Sequence, residues 1–365
     1  MTRILAALLL LPAALCMALG EPKTNARTGY MGDDACRSCH SAQVDSFHQT
    51  AHFLTSSEPT ERSILGSFIS PENILKTSNP SLVFHMEAKN GGFYQTANAR
   101  SERFAFVIGS GEKGQTYLFW DDDQLFQLPV SWWKDLGWVN SPGYRDGVAD
   151  FERPIIPRCL ECHATRFNST SPPSNRYSLS GYQLGIQCEK CHGPGAEHVR
   201  REQSKAATDP AILNPAHFSR DRQMDLCAWC HAGHGRQLVP AFSYVAGDAL
   251  EKYINFPKPE PGAPLDVHGN QVEMLKQSRC YLQSSMTCET CHNVHVAQHD
   301  LAAFSQRCLS CHKPGSTVFS KADHPVVSNC IDCHMPKQQT NLIVFNSTGK
   351  QRKPEMRNHW IKIYP

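Results

Sequence analysis

Beyond its first 20 residues, this 365-residue chain has no apolar run long enough to cross a bilayer. No integral membrane span is expected in the mature protein. It also lacks a dominant charge: 36 Lys and Arg stand against 34 Asp and Glu, a formal +2, and no basic stripe marks a nucleic-acid partner. Apolar side chains are sparse, with a mean hydropathy of −0.42. Cysteines free to pair are almost absent, since of 16 only Cys16 and Cys280 lie outside one repeated motif. If Cys16 leaves with a leader, no second thiol remains for Cys280 and an internal disulfide is excluded. The pentad Cys-x-x-Cys-Lys, the mark of one nitrite-reducing class, does not occur.

What is present is Cys-x-x-Cys-His, seven times: Cys36, Cys39 and His40; Cys159, Cys162 and His163; Cys188, Cys191 and His192; Cys227, Cys230 and His231; Cys288, Cys291 and His292; Cys308, Cys311 and His312; Cys330, Cys333 and His334. This pentad is the attachment site of c-type haem. Two thiols at this spacing reach the two vinyl groups of a porphyrin, and the following His ligates the iron. Cys-x-x-Cys alone also serves as a zinc half-site or a redox pair. A zinc ribbon, however, has no need of His after every pair, and a redox motif does not recur seven times. Seven covalently bound haems c, each with one iron and one proximal His, are therefore expected.

Residues 1–20 read as a signal peptide: Arg3 begins it, Ile4 to Leu15 is apolar apart from Pro12, and Ala18-Leu19-Gly20 offers a small-x-small cleavage pattern. Leu15 is too bulky for a lipoprotein signal at Cys16. Export to the periplasm or outer cell surface of a bacterium follows, and agrees with covalent haem attachment outside the inner membrane. The mature chain of about 345 residues fits one or two domains. Each porphyrin supplies core, so scarce apolar side chains, 24 prolines and 23 glycines need not mean disorder. Each ferric haem with ionised propionates adds about −1, making the oxidised holoprotein mildly acidic.

The expected fold is α+β: short helices and loops wrapped around the haems, with an antiparallel β-sheet inserted between the first and second pentads. The segments are 21–52, carrying the first pentad; 53–157, a β-rich insertion without one; 158–235, with pentads two to four; 236–279, a linker centred on the Pro-rich run 256–264; and 280–365, with pentads five to seven. In the insertion, Ser81 to Ala88 alternates with Leu82, Phe84 and Met86 on one face. Asn90-Gly91-Gly92 makes a turn, and Phe93 to Ala99, Arg103 to Ile108, Gln115 to Trp120 and Gln124 to Val130 continue a meander. Trp132, Trp133 and Trp138 are expected to pack against the sheet or the first haem. The uneven spacing predicts an isolated first haem beside this insertion, then two clusters of three.

Function turns on the second axial position of each iron. Eleven of the 18 histidines lie outside the pentads. His295 is three residues past His292 and His198 six past His192. At about 3.3–3.6 Å per extended residue, neither rounds its own porphyrin sensibly, so each, if it binds iron, binds a neighbouring haem. Methionine is the competing ligand type and would raise the potential, but Met86, Met224, Met274, Met286 and Met356 read better as packing. Met335 adjoins His334 and cannot reach across its haem.

The run Gly32-Asp33-Asp34-Ala35-Cys36-Arg37-Ser38-Cys39-His40, followed by Ser46-Phe47-His48-Gln49-Thr50-Ala51-His52, resembles the opening of the cytochrome c-554 family of multihaem proteins. Pro157 to His163, Cys188 to Gly195 with His198, Met286 to His292 with His295, Val267 to Gln271, and Cys330 to Pro336 also resemble it, and together they cover nearly all of the mature chain. Many relatives add a helical repeat array, and none follows here before Pro365. The resemblance implies mostly bis-His haems in stacked and perpendicular pairs, with His52, His198, His268, His295, His324 and His359 as distal ligands. His48 is the seventh choice. His85, His217, His234 and His299 read as propionate partners or surface residues, and Cys280 as a buried, inert thiol.

Two functions follow. The first is an electron-transfer protein without catalysis, relaying electrons between redox partners through closed, closely packed haems. A membrane-associated or surface redox complex is compatible with it. The alternative is a multihaem oxidoreductase acting on a small nitrogen or sulfur compound at one open haem.

Overall fold

The computed structural model describes residues 29–172, 174–205, 211–313 and 329–364. The expected leader, Cys16 and His324 lie outside the described residues. Pentads recur at or beside short helical turns. Helix α1 (Asp33–Phe47) carries the first and leaves helical geometry at His40 (φ −117°, ψ 37°). Helix α2 (Pro157–His163), with Pro157 in its first turn, ends at the second proximal His, and α3 (Cys188–His192) is the third pentad itself. Helix α4 (Ala196–Ser204) follows, and α5 (Arg220–His231) ends on the fourth pentad. Helices α6 (Gln271–Lys276) and α7 (Arg279–Leu282) precede a 3-10 turn at Cys288–Thr290. Helix α8 (Leu301–Leu309) leads into the sixth pentad, and α9 (Cys330–His334) forms the seventh. The reason is geometric. Positions i, i+3 and i+4 share one helical face, so one turn presents both thiols and the imidazole together.

The β-rich segment is built as two sheets rather than one. Strands β1 (Ser56–Ser57), β6 (Phe106–Ile108), β7 (Gly114–Asp121), β9 (Val130–Trp133) and β10 (Gly137–Asn140) pair in that order, with β8 (Gln124–Gln127) also on β7. Strands β2 (Ile74–Lys76), β3 (Val83–Lys89), β4 (Gly92–Ala97) and β5 (Arg100–Arg103) form the second sheet. The run Arg103 to Ile108, which alternation suggests as a single strand, is where the chain changes sheet. Phe104 N bonds Phe93 O on one side and Ala105 N bonds Leu118 O on the other, at 2.8 and 2.7 Å. Phe104 is buried and stacks on Tyr117 at 4.5 Å, so the crossing is pinned by core packing, a tertiary effect invisible to period-two patterning.

Leu82, Phe84 and Met86 face the interior with Tyr117, Phe119, Val130 and Trp138. Trp138 is held by its indole N–H, which donates to Ser67 O at 2.9 Å. Trp133 packs on Phe345 with ring centroids 4.8 Å apart. Phe84 is fully buried, and Phe84→Ala is expected to cost about 3–5 kcal/mol, measurable as a lower urea midpoint. An unchanged midpoint would show that this core does not limit stability. The Pro-rich run 256–264 forms no helix or strand. No helix among the described residues is long and apolar enough to cross a membrane.

The other face of the larger sheet packs on the second pentad. Phe106, Leu118 and Leu125 share a core with Leu160 of α2, and with Phe167 and Tyr177. The insertion therefore docks beside the second pentad, contrary to the arrangement suggested by spacing along the chain.

Candidate haem-binding sites

Four pairs of histidine rings face one another among the described residues: His40 with His198, His52 with His231, His192 with His295, and His292 with His359. Their centroids are 6.4, 6.1, 6.1 and 6.3 Å apart. In every pair one ring belongs to a pentad and the other does not. A metal–imidazole nitrogen bond is about 2.0–2.1 Å, and the ring centre lies about 1.1 Å behind that nitrogen. Two rings sharing one metal on opposite sides should therefore have centroids about 6.2–6.4 Å apart. The observed spacings would accommodate one iron between each pair of rings.

Burial holds several of these rings neutral, the form that binds metal. It pushes His52 and His359 down to about 4, helped in each case by neighbouring imidazoles. Desolvation by the surrounding protein also lowers His231, His292 and His295, although these three residues remain accessible to solvent. The far nitrogens are oriented by second partners, as iron-binding imidazoles require. His192 Nδ1 lies 2.9 Å from Leu213 O, His334 Nδ1 2.9 Å from Lys362 O, and His359 Nδ1 3.2 Å from Arg357 O.

No pair is local. His198 on α4 meets the first pentad, and His295 meets the third. His52, just past α1, meets the fourth, while His359 near the C-terminus meets the fifth. The backbone around His52 is fixed from outside: Ile186 N donates to His52 O at 3.0 Å. Gly185, at φ +66°, passes so close that a Cβ there would lie 2.1 Å from Phe53 O.

Thiol proximity joins the pentads further. Cys36 lies within electrostatic reach of Cys188, Cys162 of Cys230, Cys227 of Cys288, and Cys308 of Cys330. The first pentad is thus not isolated, despite more than a hundred intervening residues. Asp33 Oδ1 accepts from Cys188 N at 2.9 Å, and Glu189 accepts from Met31 N and Gly32 N. Side chains between the pentad cysteines make several of the remaining junctions. Glu161 accepts from Arg158 Nη1 at 2.7 Å, and Arg158 Nη2 donates to Trp229 O at 2.6 Å. Sequence reading passed over Asp33, Arg158, Glu161, Glu189 and Lys190; the signal was charge at or beside the positions the motif leaves free.

His48 requires correction. Its Nε2 lies 3.0 Å from Asp33 Oδ2, Arg37 donates to its Nδ1 at 3.3 Å, and Phe53 stacks on the ring at 3.7 Å. Both nitrogens are committed and the ring faces no pentad histidine. His268 is half-buried and near enough to His163 and His231 for electrostatic influence, but it forms no ring pair among the described residues. His163 itself is pushed down to about 4 by burial and is gripped by the insertion: its Nδ1 lies 2.9 Å from Thr55 Oγ1, and Ser56 Oγ donates to its carbonyl at 2.6 Å. Among the described residues no ring pairs with His312. His85, His217, His234 and His299 are exposed, and Met86, Met224 and Met274 are buried in packing. Cys280 is half-buried, and burial raises its pKa.

Residues 145–193 match the model of the family described as cytochrome c554 and c-prime. The chain is 28% identical over 194 residues to the multiheme cytochrome MtrA of Shewanella baltica, a match covering 48% of this chain and 46% of that protein. The repeated pentads and these matches make it a multihaem c-type cytochrome. It carries covalently bound haem c, and with it iron. This cytochrome is also 20% identical over 389 aligned positions to the dissimilatory sulfite reductase MccA of Wolinella succinogenes, covering 84% of this chain and 50% of MccA. It spans about half the length of these curated relatives. Its fold is shared with the outer cell wall cytochrome OcwA, at a TM-score of 0.54 and 17% identity, covering 91% of this chain and 79% of OcwA.

Proposed function

We propose that the protein is an exported heptahaem cytochrome that relays electrons between redox partners in the periplasm or at the cell surface. The observation that carries this reading is the crossing of the four imidazole pairs. Haem supplies one-electron chemistry; the chain's part is to close both faces of an iron and to hold neighbouring irons close. His198 ties the third pentad's segment to the first haem, His295 the fifth's to the third, and His52 the first's to the fourth. His359 closes the fifth. A bis-His iron excludes substrate and changes little in structure on reduction. The proposed ligands are the seven pentad histidines with His52, His198, His295 and His359; His268 and His324 remain distal candidates for other pentads.

A second reading is favoured by MccA, which is similar along 84% of this chain and bears the name of a sulfite reductase. Under this reading one haem is open and takes a small sulfur or nitrogen compound. EPR of the oxidised protein tests both. A relay is expected to give predominantly low-spin ferric signals, and mostly high-spin signals would refute it. One high-spin equivalent whose signal changes on adding sulfite or hydroxylamine would establish the second reading.

A further inference from the structure

We propose that Thr55 is a positioning residue through which the β-rich insertion sets the donor strength of His163, and so the reduction potential of the second haem. The inference rests on the reading that the second pentad holds haem, with His163 as its proximal ligand.

Helix α2 stops at His163, and the backbone turns extended at Ala164 (φ −142°, ψ 153°). The last carbonyls of such a helix need partners from elsewhere. The insertion supplies one: Ser56 Oγ donates to His163 O at 2.6 Å and accepts from Gly185 N at 2.8 Å. The preceding residue reaches the ring itself, with Thr55 Oγ1 2.9 Å from His163 Nδ1. Successive residues of one segment therefore hold both the backbone and the imidazole of His163. Both are themselves fixed. Gly109 N donates to Thr55 O at 2.7 Å, and Ser56 and Ser57 pair with Ile108 and Val107 across β1 and β6. Behind them Phe106 and Leu118 share a core with Leu160 of α2.

An imidazole that ligates iron through Nε2 carries its one proton on Nδ1. That N–H is the donor, so Thr55 Oγ1 is the acceptor. A hydrogen bond at this atom fixes the ring's orientation and raises its basicity as a ligand. A more basic ligand favours ferric over ferrous iron, and such outer hydrogen bonds are one means by which a protein sets a haem potential. The contact joins a neutral ring to a neutral hydroxyl, so it asks nothing of the charge on any thiol or propionate. Where His192 and His334 meet backbone carbonyls, His163 meets a side chain that one substitution removes. The same 3-10 turn, Phe53–Thr55, begins at His52, which faces His231. Its backbone bond from Thr55 N to His52 O survives a change of side chain, so the fourth haem should not follow the second.

A purely structural threonine would change stability alone. Stepwise reduction of the holoprotein, followed optically and by EPR, separates the two roles, with haem attachment mapped by peptide mass. Thr55→Val keeps the branched shape and removes the acceptor. It is expected to retain every haem, to move one haem's worth of the reduction curve to higher potential, and to change the g-values of that haem. Thr55→Ser, which restores the hydroxyl, should behave like the parent. An unmoved or downward curve in a fully loaded Thr55→Val protein overturns the proposal, as does a Thr55→Ser shift equal to that of Thr55→Val. Should Thr55→Val fail to mature, Thr55→Ala carries the same test, and an unmoved or downward curve there overturns it equally. A parent protein lacking haem on the second pentad's peptide would instead refute the haem reading on which the inference stands.

Discussion

His198→Ala is expected to turn one low-spin haem into a high-spin one without releasing it. The haem affected should be that of the first pentad, more than 150 residues away along the chain. His198 faces His40 at 6.4 Å, so its removal opens one axial position while both thioethers and His40 stay in place. The expected readout is one equivalent of high-spin ferric signal per chain, an unchanged intact mass, and return to low spin on adding imidazole. The fold should survive, because Asp33 and Glu189 still join the same two segments through backbone amides. His85→Ala, on an exposed strand position, is the control and should leave every haem low-spin. A His198→Ala protein that stays low-spin throughout would refute the crossed-ligand arrangement. His295→Ala should behave in the same way at the third haem.

That result concerns a pairing which sequence and structure reach by different routes. The distance argument shows that His198 and His295 cannot sensibly serve their own haems, but it does not choose the neighbour. The structure brings His198 to the first pentad and His295 to the third, which supports those two neighbours. The inward face of β3 was likewise legible, because Leu82, Phe84 and Met86 alternate in a half-buried strand. The sheet change at Phe104-Ala105 was not, since both halves of that run are strand-like and only the packing of Phe104 on Tyr117 separates them. His48 shows the limit of carrying ligands over by motif position. It lies one helical turn before His52, and Asp33 and Arg37 occupy its two nitrogens. Those partners sit 15 and 11 residues away, beyond any local pattern. The isolation suggested for the first pentad failed for a similar reason: chain separation does not measure distance when buried carboxylates bridge the gap.

Glu189 is the most consequential of those bridges. Its side chain lies between two haem-attaching cysteines and the residue is only 2% exposed. The carboxylate accepts from Met31 N at 2.9 Å, Gly32 N at 2.8 Å and Gly195 N at 2.8 Å, with Gln183 Nε2 at 3.4 Å. It binds the approach to the first pentad and the entry to α4, the helix that bears His198. Glu189→Ala leaves three backbone donors without their acceptor, of which Gly195 N is buried and Met31 N and Gly32 N are partly so, and an orphaned buried group costs about 1–3 kcal/mol. A loss of about 1–3 kcal/mol is expected by urea unfolding, with faster hydrogen exchange at the amides of Met31, Gly32 and Gly195. Glu189→Gln should cost less, because the amide keeps one accepting oxygen, yet its NH2 group meets donors where the second oxygen stood. The ordering Ala, then Gln, then the parent is therefore the diagnostic result. Equal stability of all three, with unchanged exchange at those amides, would mean that haem attachment and the His40–His198 pair hold the two segments together without the carboxylate.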